Sequence, residues 1–257
     1  MRLLFTFTVL FLFAPALPAS AQTVAPTGTL RAAYLAGNPA QSVRDATTGE
    51  VRGVAIDLTR ELGRRIGVPV NLIGLGSPQN IIDAVQRGEA DIGFVAYNPE
   101  RAGPVEFSQP YLLVQQTFLV RENSTISSVA EIDRPNQRIG GGKGDSIALY
   151  LARNLKQSQL VEVDSGINDA MQMLLAGKID AFGANRQRLT DVLRSVSGLR
   201  LLPDDLYGVE QTIIVPKDRS DALKNVNQFI NDVRTSGLLR SAVERSGVVG
   251  ISIAPSQ

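Results

Sequence analysis

The sequence contains no cysteine and no histidine. Without cysteine there are no disulfides, no thiolate nucleophile, no cysteine-ligated metal and no lipid anchor on an N-terminal cysteine. Without histidine there is no Ser-His triad and no histidine-ligated metal centre. Net charge is also nearly missing: 26 basic residues stand against 25 acidic ones. No basic block or basic-aromatic stripe marks a nucleic-acid partner. Long apolar runs are confined to the N-terminus, so no other segment is expected to span a membrane.

That N-terminal run has the layout of an export signal. Arg2 gives a positive start, Leu3 to Phe13 is apolar except for Thr6 and Thr8, and small residues follow as Ala19-Ser20-Ala21. A membrane-spanning helix needs about 20 apolar residues. This run is roughly half that and is followed by Pro15 and Pro18, so cleavage after Ala21 is expected, leaving a periplasmic chain that starts near Gln22. The remaining length suffices for one large domain or two small lobes.

Beyond the signal, strand-like and helix-like stretches alternate. Thr29 to Tyr34 reads as a strand, and Val54, Leu58, Leu62 and Ile66 recur every four residues as one helical face. Val70 to Ile73, Asp91 to Ala96, Thr117 to Val120, Arg138 to Gly140, Leu160 to Val163 and Asp180 to Phe182 read as further strands. Helical faces are marked by Ile81, Ile82 and Val85, by Ile147 to Leu155, by Ile167 to Leu175 and by Leu223 to Val233. The alternation predicts an α/β architecture with mainly parallel sheets. One pattern occurs twice: Ala84 to Phe94 and Met173 to Gly183 each leave a helix at glycine (Gly88, Gly177) and enter a strand through aspartate (Asp91, Asp180). Any αβ unit can end this way. Read as a repeat, it predicts two lobes of similar build with a cleft between them, where small ligands bind.

Three segments, in order and at matching spacing, resemble the bacterial family 3 solute-binding proteins. They are the helix entry Gly53 to Leu62, the step Arg87-Gly88-Glu89-Ala90-Asp91, and Pro99-Glu100-Arg101-Ala102 followed by Val105-Glu106-Phe107-Ser108-Gln109-Pro110-Tyr111. The resemblance runs from about Gly28 to Gly247. It implies a two-lobed, type II periplasmic binding protein-like α/β fold with a ligand cleft and two hinge crossings, near Leu112–Phe118 and Pro203–Gln211. The first lobe would comprise 22–114 and 208–257, and the second 115–207. It further implies a monomeric binding protein of an ABC importer that delivers a small carboxylate-bearing solute, an amino acid or a relative, to a permease without a cofactor.

The resemblance also assigns candidate ligand contacts. Arg101 would grip a ligand carboxylate with its planar guanidinium fork. Gly144, Asp145 and Ser146 open a helix after a glycine-rich turn, where free amides attract an anion. A phosphate loop is excluded there, because Lys143 is followed by Gly144 and not by Ser or Thr. Asn185 stands where amino-acid binders of the family carry the aspartate that pairs with the ligand ammonium. A neutral amide cannot supply that charge, which argues against ordinary α-amino acids; Asp145 is the alternative holder for an ammonium. Ala96, with Tyr97, fills the region where the family has a ligand-contacting threonine, and the family's aromatic sandwich is missing at Ser77-Pro78. Asn38 and Tyr34 lie where the first strand would open into the cleft, although Tyr34 equally suits packing at the strand end. The competing class is an enzyme on the same fold, of the cyclohexadienyl dehydratase type, which would need a carboxylic general acid in the cleft.

Overall fold

The structure, a computed structural model, describes residues 19–45, 47–164 and 166–256. The expected export signal, up to Pro18, lies outside them. Among the described residues no helix is long and apolar enough to cross a membrane.

Val54, Leu58, Leu62 and Ile66 do form one buried helical face, on α2 (Val54–Ile66), which ends at Gly67 in the left-handed conformation, φ 72°. α2 lies beside β1 (Leu30–Leu35) and β4 (Val70–Leu75), which pair in parallel. A small hairpin, β2 (Val43–Arg44) with β3 (Val51–Arg52), leads into α2. α3 (Pro78–Gln86) starts where Ser77 Oγ accepts from the Asn80 amide and Pro78 occupies the first turn. β5 (Ile92–Ala96) then returns parallel to β1.

After β6 (Val105–Phe107), the long β7 (Leu112–Arg121) carries the chain into a second unit. There β8 (Arg138–Gly142), α4 (Ser146–Asn154), β9 (Gln159–Val163), α5 (Ile167–Leu175), β10 (Ala181–Asn185), α6 (Arg186–Val192) and β11 (Leu199–Leu201) follow one another. β12 (Tyr207–Pro216) leads back to α7 (Ser220–Thr235), α8 (Leu238–Ser246) and β13 (Ile251–Ile253). α1 (Ala19–Val24), at the start of the described chain, packs against α7.

The strands join in one curled 11-stranded sheet, along the path β4-β1-β5-β12-β7-β10-β8-β9. β1 is flanked in parallel by β4 and β5, and β8 in parallel by β9 and β10. The antiparallel strand comes next in each case, β12 beside β5 and β7 beside β10. The two halves therefore share one topology. The expectation of mainly parallel sheets is corrected to a mixed sheet, because the strands that cross between the halves must run against their neighbours. Between the halves β7 and β12 pair with each other, from Leu112↔Gln211 to Gln116↔Tyr207.

Each half buries its own apolar side chains on both faces of its sheet. In the first, Leu58, Leu62, Phe229 and Ile230 pack on one face and Ile81, Ile82 and Val85 on the other. In the second, Met171, Leu174 and Leu189 pack on one face and Phe118, Ile147 and Leu151 on the other. Among the described residues no cluster mixes side chains from both halves, so the molecule is two lobes joined by a paired ribbon. The repeated sequence pattern has a matching structure. Asp91 accepts from the backbone and guanidinium of Arg31, which also donates to the Gly88 carbonyl at 2.6 Å. Asp180 accepts from the backbone and guanidinium of Arg138, which also donates to the Gly177 carbonyl at 2.7 Å. In both lobes a charge-assisted lock ties the helix end to the first strand.

Candidate functional site

The interlobe cleft is floored by the ribbon. Gln116 on β7 and Gln211 on β12 are buried beneath it, and Gln41 joins them from the first lobe. These amides are fixed: Gln41 Nε2 donates to Gln211 Oε1 at 3.3 Å, and Gln116 Nε2 donates to the Val114 carbonyl at 3.2 Å. Above this floor lies a chamber of about 310 Å³, the size for a small solute.

Arg101 reaches this chamber from a short 3-10 turn, Pro99–Arg101, whose start is capped by Asn98 Oδ1 accepting from the Glu100 amide. Its guanidinium makes no hydrogen bond or ion pair among the described residues, whereas Arg31 and Arg138 are committed to structural locks. An arginine left with open donors beside a cleft is prepared for an external anion. Opposite it, in the second lobe, α4 begins. Gly144 takes φ 75°, and Asp145 is the residue before the first helical turn. Asp145 makes no capping bond to that turn; its carboxylate lies 3.5 Å from Arg188 Nη1 instead. Burial pushes the Asp145 carboxyl above its ordinary range, and the Arg188 charge opposes this in part. The first-turn amides of α4 are thus unclaimed by the cap side chain and face an anion favourably.

Asn185 ends β10 and starts α6, where its Oδ1 accepts from the Arg188 amide at 2.8 Å. Its side chain lines the chamber, with one lone pair of its oxygen engaged in the helix cap. Arg101, Gly144, Asp145, Ser146, Asn185, Asn38 and Ala96 all line this chamber. Tyr34 does not. Its side chain is 4% exposed and packs in the first-lobe core against Gly74, where an added Cβ would meet Tyr34 Oη at 2.9 Å. The two-residue alternation of β1 explains the correction: Tyr34 faces one side of the sheet and Leu35, its neighbour, lines the cleft. Sequence reasoning missed Arg188, one helical turn past Asn185, because an arginine on a short surface helix carries no local mark of a cleft.

The cleft continues past Arg101 and Ser146 into a second chamber of about 300 Å³, walled by Tyr97, Tyr150 and Tyr207. The Tyr150 and Tyr207 rings stack at 4.4 Å, and burial, with Tyr150 beside it, raises the Tyr207 hydroxyl well above its usual range. Of these aromatics only Tyr97 stood out in the sequence; in the first chamber the lining includes Pro78 and one aromatic residue, Phe94.

Residues 30–246 match the sequence profile of the bacterial extracellular solute-binding proteins, family 3. The chain belongs to that family. Among characterised relatives, the glutamine-binding protein of Geobacillus stearothermophilus is 26% identical over 172 residues, covering 65% of this chain and 64% of that protein. The chain thus spans somewhat under two thirds of that relative. The ABC transporter glutamine-binding protein GlnH of Bacillus subtilis is 21% identical, with 76% of this chain and 72% of that protein covered. Among solved structures, the periplasmic VFT2 domain of Bordetella pertussis BvgS superposes with a TM-score of 0.72 at 20% identity, covering 90% of this chain and 99% of that one. The amino acid ABC transporter substrate-binding protein AbpA of Streptococcus pneumoniae, bound to L-arginine, gives 0.66 at 20% identity, covering 88% and 97%. At these identities the structures establish the type II periplasmic binding fold shared across family 3, and that alone.

Proposed function

We propose that this family 3 protein is the exported binding component of an ABC importer and closes its two lobes on a small carboxylate-bearing solute, an amino acid or a related acid. The observation that carries the reading is the Arg101 guanidinium on the first lobe, unpartnered among the described residues, lining one chamber with Gly144, Asp145 and Ser146, where the first-turn amides of α4 open from Ser146 onward on the second lobe. One carboxylate can touch both only with the cleft shut, so ligand affinity drives closure. The names of the relatives, glutamine-binding and arginine-bound, support the solute class.

The lobes divide as 22–114 with 208–257 and 115–207, and bending of the β7–β12 ribbon disturbs neither core. The protein works as a periplasmic monomer that presents its closed shape to a permease, after the N-terminal segment is removed behind Ala21. That cut takes the buried Ala21 out of the first-lobe core and leaves Val24 and Ala25 to close it.

Mass spectrometry of the solute released from the purified protein by denaturation identifies the probe. Small-angle scattering should then show a smaller radius of gyration at saturation, and Arg101→Ala should weaken binding more than tenfold, as expected from the ~2–5 kcal/mol cost of unpairing a buried charge. Equal radii with and without bound solute, or unchanged affinity in Arg101→Ala, would overturn the reading.

A further inference from the structure

Arg188 brings a second guanidinium into the first chamber, where the sequence showed only the neutral Asn185. The charged groups lining that chamber are Arg101, Arg188 and one acid, Asp145. Asp145 is already engaged by Arg188, at 3.5 Å and with both side chains partly open to solvent. A ligand ammonium placed against Asp145 would therefore sit beside the Arg188 cation. Asn185 carries no charge to offset a cation: its oxygen already accepts one bond as the cap of α6, and its amide nitrogen, which makes no hydrogen bond among the described residues, is free to donate to an anion. Arg188 makes no other side-chain hydrogen bond or ion pair among the described residues, so most of its five donors remain open.

From this arrangement we propose that Arg188 is a second anion anchor, and that the chamber selects small dianions, of which dicarboxylates are the simplest class, over carboxylates that carry an ammonium group. The inference rests on Arg101 as the first carboxylate anchor. A dicarboxylate would span the chamber, with one end on Arg101 and the α4 amides and the other on Arg188 and the Asn185 amide. The long Asp145–Arg188 contact offers weak competition, since a carboxylate docking on a guanidinium fork makes two parallel bonds.

The test is calorimetry with chain-matched probes: succinate, glutarate and adipate, their monocarboxylate counterparts butyrate, pentanoate and hexanoate, and their amino-acid counterparts L-aspartate, L-glutamate and L-2-aminoadipate. At least one dicarboxylate should bind tenfold or more tighter than both its monocarboxylate and its amino-acid counterparts. Arg188→Gln should bring its affinity down to that of the monocarboxylate, and Arg188→Lys should recover part of the difference. A preference that persists in Arg188→Gln, an amino acid that binds as tightly as the matched dicarboxylate, or no dicarboxylate preference at all would overturn the proposal while leaving Arg101 in its role. Dicarboxylate binding untouched by Arg101→Ala would instead remove the reading on which the proposal stands.

Discussion

Arg153 Nη2 on α4 meets Glu100 Oε1, beside Arg101, at 2.6 Å across the gap between the lobes. Because the partners belong to different lobes, the ion pair exists only while the cleft is narrow, and it favours closure. Both side chains are more than half exposed, at 60% and 64%. An exposed pair of this kind contributes up to about 1 kcal/mol. Glu100→Gln should therefore weaken ligand binding by no more than about fivefold. Raising the salt concentration should weaken the wild type more than the variant, because screening removes the same contact. Calorimetry of both proteins at low and high ionic strength reads this directly; equal salt dependence would mean that the contact has no part in closure.

Gly53 opens α2 with φ 136° and ψ 175°, a conformation essentially restricted to glycine. A Cβ there would stand 2.5 Å from the Gln41 carbonyl oxygen and 2.9 Å from Ser42 Cα, both backbone atoms that cannot swing aside. Gly53→Ala should cost at least about 1–3 kcal/mol, with Tm falling by about 2–4 °C per kcal/mol in a chain of this size. Since Gln41 is part of the cleft floor, ligand affinity should fall as well. Thermal unfolding and calorimetry check the two effects, and a fully stable Gly53→Ala protein would show that the α2 entry can rearrange.

Glu61 sits on α2 between Arg64 and Arg65, with hydrogen bonds of 2.8 and 2.7 Å. Arg64 foremost, then Arg65, hold its carboxyl down at about 2 from an ordinary 4.5, against the opposing effect of burial. A depressed folded-state value means that ionisation stabilises the fold above pH 4.5, and that this contribution disappears as pH falls through about 2. Glu61→Gln should be less stable than the wild type at neutral pH, and the two should converge between pH 4.5 and 2. Chemical denaturation across that range tests it; a constant difference would assign the effect to packing.

Local chemistry sufficed where neighbouring residues decide the outcome. The period of Val54, Leu58, Leu62 and Ile66 specified α2, and the Gly-to-Asp steps at Gly88–Asp91 and Gly177–Asp180 marked two units that fold alike. The spacing from Glu100 to Tyr111 pointed to Arg101, which the fold does bring to the cleft. Short elements that are stable only against a partner escaped this reading, among them α6, β11 and β13, each of seven residues or fewer. Such segments carry too few residues for a periodic pattern to stand out.

The sequence by itself determined the αβ alternation, the absence of thiol and imidazole chemistry, and the residues that align with family 3. Tertiary structure decided which side chains share the cleft. It turned Tyr34 into the core through the alternation of β1, engaged the Asn185 oxygen in a helix cap, left the Arg101 guanidinium without a partner among the described residues and set Arg188 beside Asp145. The physical reason is that charge balance in a cleft is a property of groups from distant parts of the chain. Asp145 and Arg188 are 43 positions apart in sequence and meet only when two lobe elements pack side by side.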